Sequence, residues 1–161
     1  MLDAIFGLIG VGVGAGIAWA QSWFAGRKAR LQSARYLDIR VVCQLAMYVD
    51  KCTDVVCDDG LSFGQRNQDG YLEAQVTAPP PIEYPNDVDW RTIPHDLMYE
   101  LLALPNRVEA AINAISFAGN IAHPPDFDEY FEARRRHFTD LGLRSAALAV
   151  RLRAAYKIPA L

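Results

Sequence analysis

The stretch YLDIRVVCQLAMYVDKCTDVVCDDG (residues 36–60) decides the fold, because its apolar residues recur at the spacing of an α-helix. The pattern predicts a helix from Arg27 to about Cys57, which the turn-forming residues Asp58, Asp59 and Gly60 end. One alternating three–four stripe runs along it, with Asp38 as its polar interruption: Leu31, Ala34, Asp38, Val41, Leu45, Tyr48, Cys52 and Val55.

Two further helices follow the same reasoning. The second is predicted from about Pro94 to Ala118, with Thr92 or Asp96 as its cap. Pro105 lacks a backbone N–H and should kink this helix or split it in two. The third begins near Asp126, which with Glu129 has the form of a capping box, and continues to about Tyr156. We therefore expect an all-α, antiparallel bundle of three helices, or four if Pro105 splits the second.

A long acidic segment, residues 58–93, separates the first helix from the second. Its three consecutive prolines and its turn sequences predict extended chain rather than helix. The stretch YLEAQVTA (residues 71–78) has strand character and could pair with LSF (residues 61–63) in a short β-hairpin. Loops of this length are usually functional or disordered, so a recognition surface and a solvated linker are both open interpretations.

The N-terminal segment has the composition of a membrane anchor. No ionisable side chain occurs from Ala4 to Gly26, and a helix of this length, roughly 35 Å, exceeds the bilayer core of about 30 Å. Small residues recur every fourth position there, which favours close helix–helix packing and self-association. They form two rows, the first Gly10, Gly14 and Ala18, the second Gly12, Gly16 and Ala20.

Three other interpretations of this segment are weaker. Glycines 10, 12 and 14 resemble part of a dinucleotide-binding fingerprint, but the alternating strands and helices that should follow are missing. Ala18-Trp19-Ala20 has the form of a signal-peptide cleavage site, yet the residues before the apolar run are not basic. A buried helix of a soluble protein seldom needs so long an uncharged run.

Positive charge follows the anchor and predicts its orientation. Arg27, Lys28 and Arg30 come directly after it, so the positive-inside rule places the N-terminus outside and the rest in the cytoplasm. The same three side chains are candidates for contact with anionic lipid headgroups. We expect a bacterial inner-membrane protein with an anchor (residues 1–26) and a helical cytoplasmic domain (residues 27–161).

Charge is unevenly distributed along the domain. Residues 50–132 carry 16 acidic and 4 basic side chains, whereas residues 134–157 carry 7 basic and 1 acidic. The cluster Arg134, Arg135 and Arg136 is a candidate surface for an unknown protein partner; the alternative is that these arginines pair with the acidic middle of the chain. The net charge of −3 argues against a general nucleic-acid-binding protein.

The residues suggest little chemistry. No catalytic or cofactor-binding motif is present in the sequence, and we expect no cofactor and no metal. The best cation candidates, Asp58, Asp59, Asp87 and Asp89, are those of ordinary acidic turns. The sequence therefore favours a non-enzymatic scaffold, adaptor or regulatory component. The alternatives are a membrane-active effector or accessory protein of a bacterial defence or prophage system, and an anchored enzyme without a recognisable motif.

Overall fold

The structure, a computed structural model, describes residues 39–85 and 90–157. These residues form a helical bundle of three α-helices without strands. Helix α1 occupies residues 39–56, α2 runs from His95–Ile121 and α3 from Asp128–Tyr156, and a 3-10 turn at Trp90–Thr92 precedes α2. The all-α prediction is therefore confirmed for the described part of the chain.

The apolar stripes predicted for the helices form one core. On α1 the predicted stripe is buried from Val41 to Val55, and Asp58 follows the end of the helix as expected. Helices α2 and α3 bury apolar faces against it, formed by Leu97, Leu101, Leu104, Val108, Ala111 and Ile115 on α2 and by Phe131, Phe138, Leu141, Leu148 and Leu152 on α3. The largest fully buried side chains include Phe138, Leu45, Leu101, Leu104 and Leu152.

Helix α3 runs in the opposite direction to α1 and α2, which are parallel to each other. Arg151, near the end of α3, donates hydrogen bonds to Glu100 and Asp96 near the start of α2, at 2.6 and 3.0 Å. Helix α1 approaches α3 closely at Gly142, where an added Cβ would lie 3.3 Å from the Cβ of Cys52. The distal end of the bundle is the one at which α1 and α2 end and α3 begins; the proximal end is the opposite one.

Pro105 does not split α2, which is continuous from His95–Ile121. The missing N–H of Pro105 removes the usual intrahelical partner of the Leu101 carbonyl. That carbonyl instead accepts a hydrogen bond from the Tyr84 hydroxyl at 2.9 Å. Because a side chain from outside the helix satisfies the freed acceptor, the four-helix alternative is wrong.

The predicted helix caps are also wrong. The N-cap of α2 is Pro94 and that of α3 is Phe127, and neither makes a side-chain capping hydrogen bond. Phe127 has a left-handed backbone conformation, φ 49°. Asp126 is drawn away from the helix terminus because its carboxylate pairs with Arg66.

The segment after α1 contains no β-hairpin between residues 61–63 and 71–78. Residues 71–78 form neither helix nor strand, and their exposed side chains alternate with partly buried ones that include Leu72, Val76 and Ala78. The inward side chains pack on the helices rather than beside a partner strand, and Val76 and Ala78 lie against the core. The predicted strand and its pairing with residues 61–63 are therefore wrong, because the inward side chains of this segment pack on the helices instead.

The membrane prediction concerns a different part of the chain. Every helix in residues 39–85 and 90–157 is too short or too polar to serve as a membrane span. The predicted anchor, residues 1–26, lies outside the described residues, together with its small residues and the three basic side chains that follow it: Gly10, Gly12, Gly14, Gly16, Ala18, Ala20, Arg27, Lys28 and Arg30.

Candidate recognition site

The carboxylate of Asp58 fixes the start of the long segment. It accepts hydrogen bonds from the backbone N–H groups of Gly60 at 3.0 Å, Gln75 at 3.3 Å and Val76 at 3.0 Å. Its side chain is 1% exposed. One buried carboxylate therefore holds together two stretches of chain that are separated by more than a dozen residues.

Arg134 joins this carboxylate to α3. Its Nη2 donates to Asp58 Oδ2 at 3.0 Å and to the Val76 carbonyl at 2.7 Å, and its Nη1 donates to the Tyr130 hydroxyl at 3.2 Å. The guanidinium carbon also lies 5.4 Å from the centre of the Tyr130 ring. The long segment is consequently anchored to the bundle through charged and neutral hydrogen bonds in a buried setting.

This geometry corrects part of the predicted arginine cluster. Arg134 is 3% exposed and bonded within the chain, so it is not part of a partner surface. The residue that it pairs with, Asp58, belongs to the acidic middle of the chain, residues 50–132, as the alternative interpretation of the arginines predicted. Arg135 and Arg136 are exposed, and their role in binding a partner stays a prediction.

Opposing effects act on the pKa of Asp58. Burial alone raises it, whereas the N–H groups of Val76, Gly60 and Gln75 and the charge of Arg134 lower it. The net result is a pKa below the usual value, so the carboxylate is ionised at neutral pH. The carboxylate oxygens of Asp58 are thus engaged in hydrogen bonds within the chain. The carboxylate of Asp59 likewise accepts a hydrogen bond, from the Leu61 N–H at 2.9 Å. Asp87 and Asp89, the other cation candidates, lie outside the described residues.

Gly60 allows the segment to pass close to α3. Its φ is +75°, and a Cβ at this position would lie 2.5 Å from the Phe131 ring and 3.1 Å from the Leu72 Cβ. Both the left-handed backbone and the contact with Phe131 require glycine. The segment therefore lies directly on the bundle at its distal end.

A tight turn projects from the segment at this end. Ser62 and Gln65 exchange two backbone hydrogen bonds of 2.9 and 3.0 Å around Phe63 and Gly64. Both central residues have positive φ, 51° and 77°, as in a type I′ turn. Glycine or asparagine is usual at such positions, and here a phenylalanine occupies one of them with its side chain fully exposed.

The base of this turn is fastened to the loop before α3. Arg66 pairs with Asp126 and also donates to the carbonyls of Gly70 at 3.2 Å and Pro125 at 3.4 Å. Next to it, the Leu72 N–H donates to the same Pro125 carbonyl at 2.9 Å. The position of Phe63 is thereby set by contacts to the bundle.

An aromatic groove of about 370 Å³ lies beside the turn. Phe127, Tyr130 and Phe131 line it from the start of α3, and Gly119 lines it from α2. Tyr71 meets the Phe127 ring edge to face, with ring centres 6.0 Å apart. Phe63 and this groove together are called the distal surface below.

The second attachment of the long segment is near α2. Besides its bond to Leu101, Tyr84 contacts Trp90 edge to face at 5.2 Å between ring centres, and burial raises the pKa of its hydroxyl. On α1, the side-chain amide of Gln44 donates to the Glu83 carbonyl at 3.1 Å. Both ends of residues 57–85 are therefore held by the helices.

The described residues offer little reactive chemistry. No group of three His, Cys, Asp or Glu side chains within residues 39–85 and 90–157 could hold a metal ion. Cys43, Cys52 and Cys57 are free thiols, and burial raises the pKa of Cys52 to about 12, which keeps it protonated at neutral pH. A protonated, buried thiol is a poor nucleophile.

Comparison with protein-family models, with curated proteins and with solved structures finds no match for this chain. The distal surface is accordingly the feature of the chain that bears on its function.

Proposed function

We propose that this chain is a single-pass membrane protein and a non-enzymatic adaptor, whose cytoplasmic module binds a protein partner through the distal surface. The observation that carries the proposal is the exposed Phe63 in a left-handed conformation, on a turn whose base is bonded to the bundle. An unusual backbone conformation beside an exposed aromatic side chain is typical of recognition sites. A solvated linker would need neither the unusual backbone conformation nor the exposed aromatic side chain.

The direction of α1 suits this role. If the N-terminal segment anchors the chain, α1 leads away from the membrane, and its 39–56 stretch carries the distal surface roughly 26 Å from its first described residue. The basic end of α3 then lies on the proximal side, nearest the lipid headgroups. An adaptor must expose its binding surface to the cytoplasm, and the proposed orientation would do so.

Charge around the distal surface indicates the kind of partner. Asp59, Asp69, Glu73, Asp128 and Glu129 are exposed near the turn and the groove, whereas Arg66 is paired with Asp126. An acidic rim around an aromatic centre favours a protein with an apolar pocket bordered by lysine or arginine. It disfavours direct contact with an anionic bilayer.

Photo-crosslinking in cells tests the proposal. A benzophenone amino acid replaces Phe63 in the full chain, and a second strain carries it at Leu102, an exposed residue of α2 away from the distal surface. We expect one discrete protein adduct at position 63, absent at position 102 and weakened as salt rises. Equal adducts at both positions, or none at position 63, would contradict the adaptor role.

Topology is tested separately by fusing the full chain at Leu161 to a cytoplasm-active fluorescent protein or to a periplasm-active phosphatase. Fluorescence in the membrane fraction without phosphatase activity supports the proposed orientation. Phosphatase activity would place the domain outside, and a fully soluble fluorescent product would remove the anchor.

A further inference from the structure

We infer that two copies of this chain associate side by side through the groove between α1 and α3. The groove has a volume of about 220 Å³ and no charged side chain in its lining. It is formed by Val49, Thr53 and Val56 of α1 and by Thr139, Leu143 and Ala146 of α3. It lies on the side of the bundle, apart from the distal surface, so this inference goes beyond the proposed adaptor role.

The apolar surface continues beyond the groove along both helices. On α3, Leu143 is 67% exposed and Val150, two turns later on the same face, is 61% exposed. On α1, Ala46, Val49, Thr53 and Val56 follow the three–four spacing of a helix-packing seam, and the exposed Ile39 lies two turns before Ala46. This second seam is distinct from the one that fills the core. Two uncharged helix faces therefore meet at one solvent-facing groove.

The chain that precedes α1 argues for a second copy as the occupant. The chain before residue 39 enters α1 at its proximal end, and it contains the predicted anchor with its rows of small residues. Two anchors that associate through these rows would hold two copies side by side in the same orientation.

Charge on either side of the groove is self-complementary. On α1 the exposed residues next to the seam are Asp50 and Asp54, and on α3 they include Arg136 and Arg144, of which Arg144 also bonds Asp140 at 2.7 Å. Because α1 and α3 are antiparallel and Cys52 lies against Gly142, Asp50 and Arg144 have similar positions along the bundle axis. A two-fold axis parallel to the bundle sets the acidic border of one copy against the basic border of the other.

Sedimentation equilibrium of the full chain in a mild detergent tests the inference. Leu143→Glu places a charge in the groove, and the matched control is Phe117→Glu, because Phe117 is 66% exposed on α2. We expect a dimer for the unmodified chain and for the control, and a dissociation constant raised at least about tenfold by Leu143→Glu. Thermal melting of each variant checks that the bundle stays folded.

A second variant separates the groove from the anchor. With Gly14→Leu in place to weaken anchor packing, Leu143→Glu should still raise the dissociation constant. The inference is overturned if the unmodified chain is a monomer at every concentration. It is also overturned if only Gly14→Leu has an effect, or if Phe117→Glu weakens the dimer as much as Leu143→Glu does. Crosslinking from Phe63 is a separate readout, so either proposal can fail alone.

Discussion

Two ion pairs of the same chemistry attach the long segment to α3 and to the loop before it, and their surroundings differ. In the pair Asp58–Arg134 the side chains are 1% and 4% exposed, and both groups make further hydrogen bonds to the segment. In the pair Arg66–Asp126 the side chains are 41% and 43% exposed. Water screens the second pair but hardly reaches the first. The buried pair should therefore fix the segment on the bundle, whereas the exposed pair only orients the turn that carries Phe63.

The largest effect is expected from Arg134→Met. Removal of the guanidinium leaves the Asp58 charge buried, and breaking a buried pair in this way costs about 3–5 kcal/mol of unfolding free energy. Urea unfolding measures the loss. Arg135→Met is the matched control, because Arg135 is exposed and its replacement should change stability by less than about 0.5 kcal/mol. Similar losses for both variants would show that Arg134 is not anchored as described.

Acid should weaken the same contact. Because the pKa of Asp58 is lowered in the folded chain, the unfolded chain takes up a proton at a higher pH than the folded one. The stabilisation is complete above the unfolded pKa of about 3.9 and is lost as the pH falls through the folded value. Unfolding measured from pH 6 to pH 2 should show a shallower acid decline for Asp58→Asn than for the unmodified chain. An identical slope for the two would contradict the lowered pKa.

A smaller effect is expected at the other end of the segment. Tyr84→Phe leaves the Leu101 carbonyl without its donor and should cost about 1–2 kcal/mol. Tyr99→Phe, at a residue that is 71% exposed, serves as the control. In a Pro105→Ala background the alanine supplies the missing backbone N–H, so Tyr84→Phe should then cost less. An unchanged cost would argue against the explanation given for the continuous helix.

The smallest effect is expected for Arg66→Ala. An exposed pair contributes about 0–1 kcal/mol, and salt reduces it further. The melting temperature should therefore change little, while the mobility of the turn increases. Relaxation measurements on the Gly64 and Gly70 amides would detect this change. A loss of unfolding free energy as large as that of Arg134→Met would show that the exposed pair stabilises the chain as much as the buried pair does.

The helix stripes were predictable because burial imposes a period on the sequence, as Val41 to Val55 illustrate. The role of Arg134 was not, since a run of three arginines resembles a solvated surface and its partner, Asp58, is distant in the sequence. The split predicted at Pro105 was wrong for a related reason, because the Tyr84 hydroxyl that bonds the freed Leu101 carbonyl comes from another part of the chain. Asp126 fits the local sequence pattern of a helix cap, but its carboxylate forms a long-range ion pair with Arg66 instead of capping α3.

The distal surface was only partly predictable. A recognition surface within residues 58–93 was one of two open interpretations, and the sequence Ser62-Phe63-Gly64-Gln65 gives a turn signal only through its glycine. That Phe63 remains exposed depends on how Arg66 and the Pro125 carbonyl position the turn. Such contacts link residues about sixty positions apart, and no local pattern encodes them.

Hydrogen exchange of the full chain tests most directly whether the long segment is an ordered part of the bundle. The amides of Gly60 and Val76, bonded to Asp58, and that of Glu73, bonded to the Gly60 carbonyl at 3.0 Å, should exchange far more slowly than an unstructured chain. Exchange of all three at the intrinsic rate, while the helices remain protected, would contradict the account and leave residues 57–85 as a solvated linker.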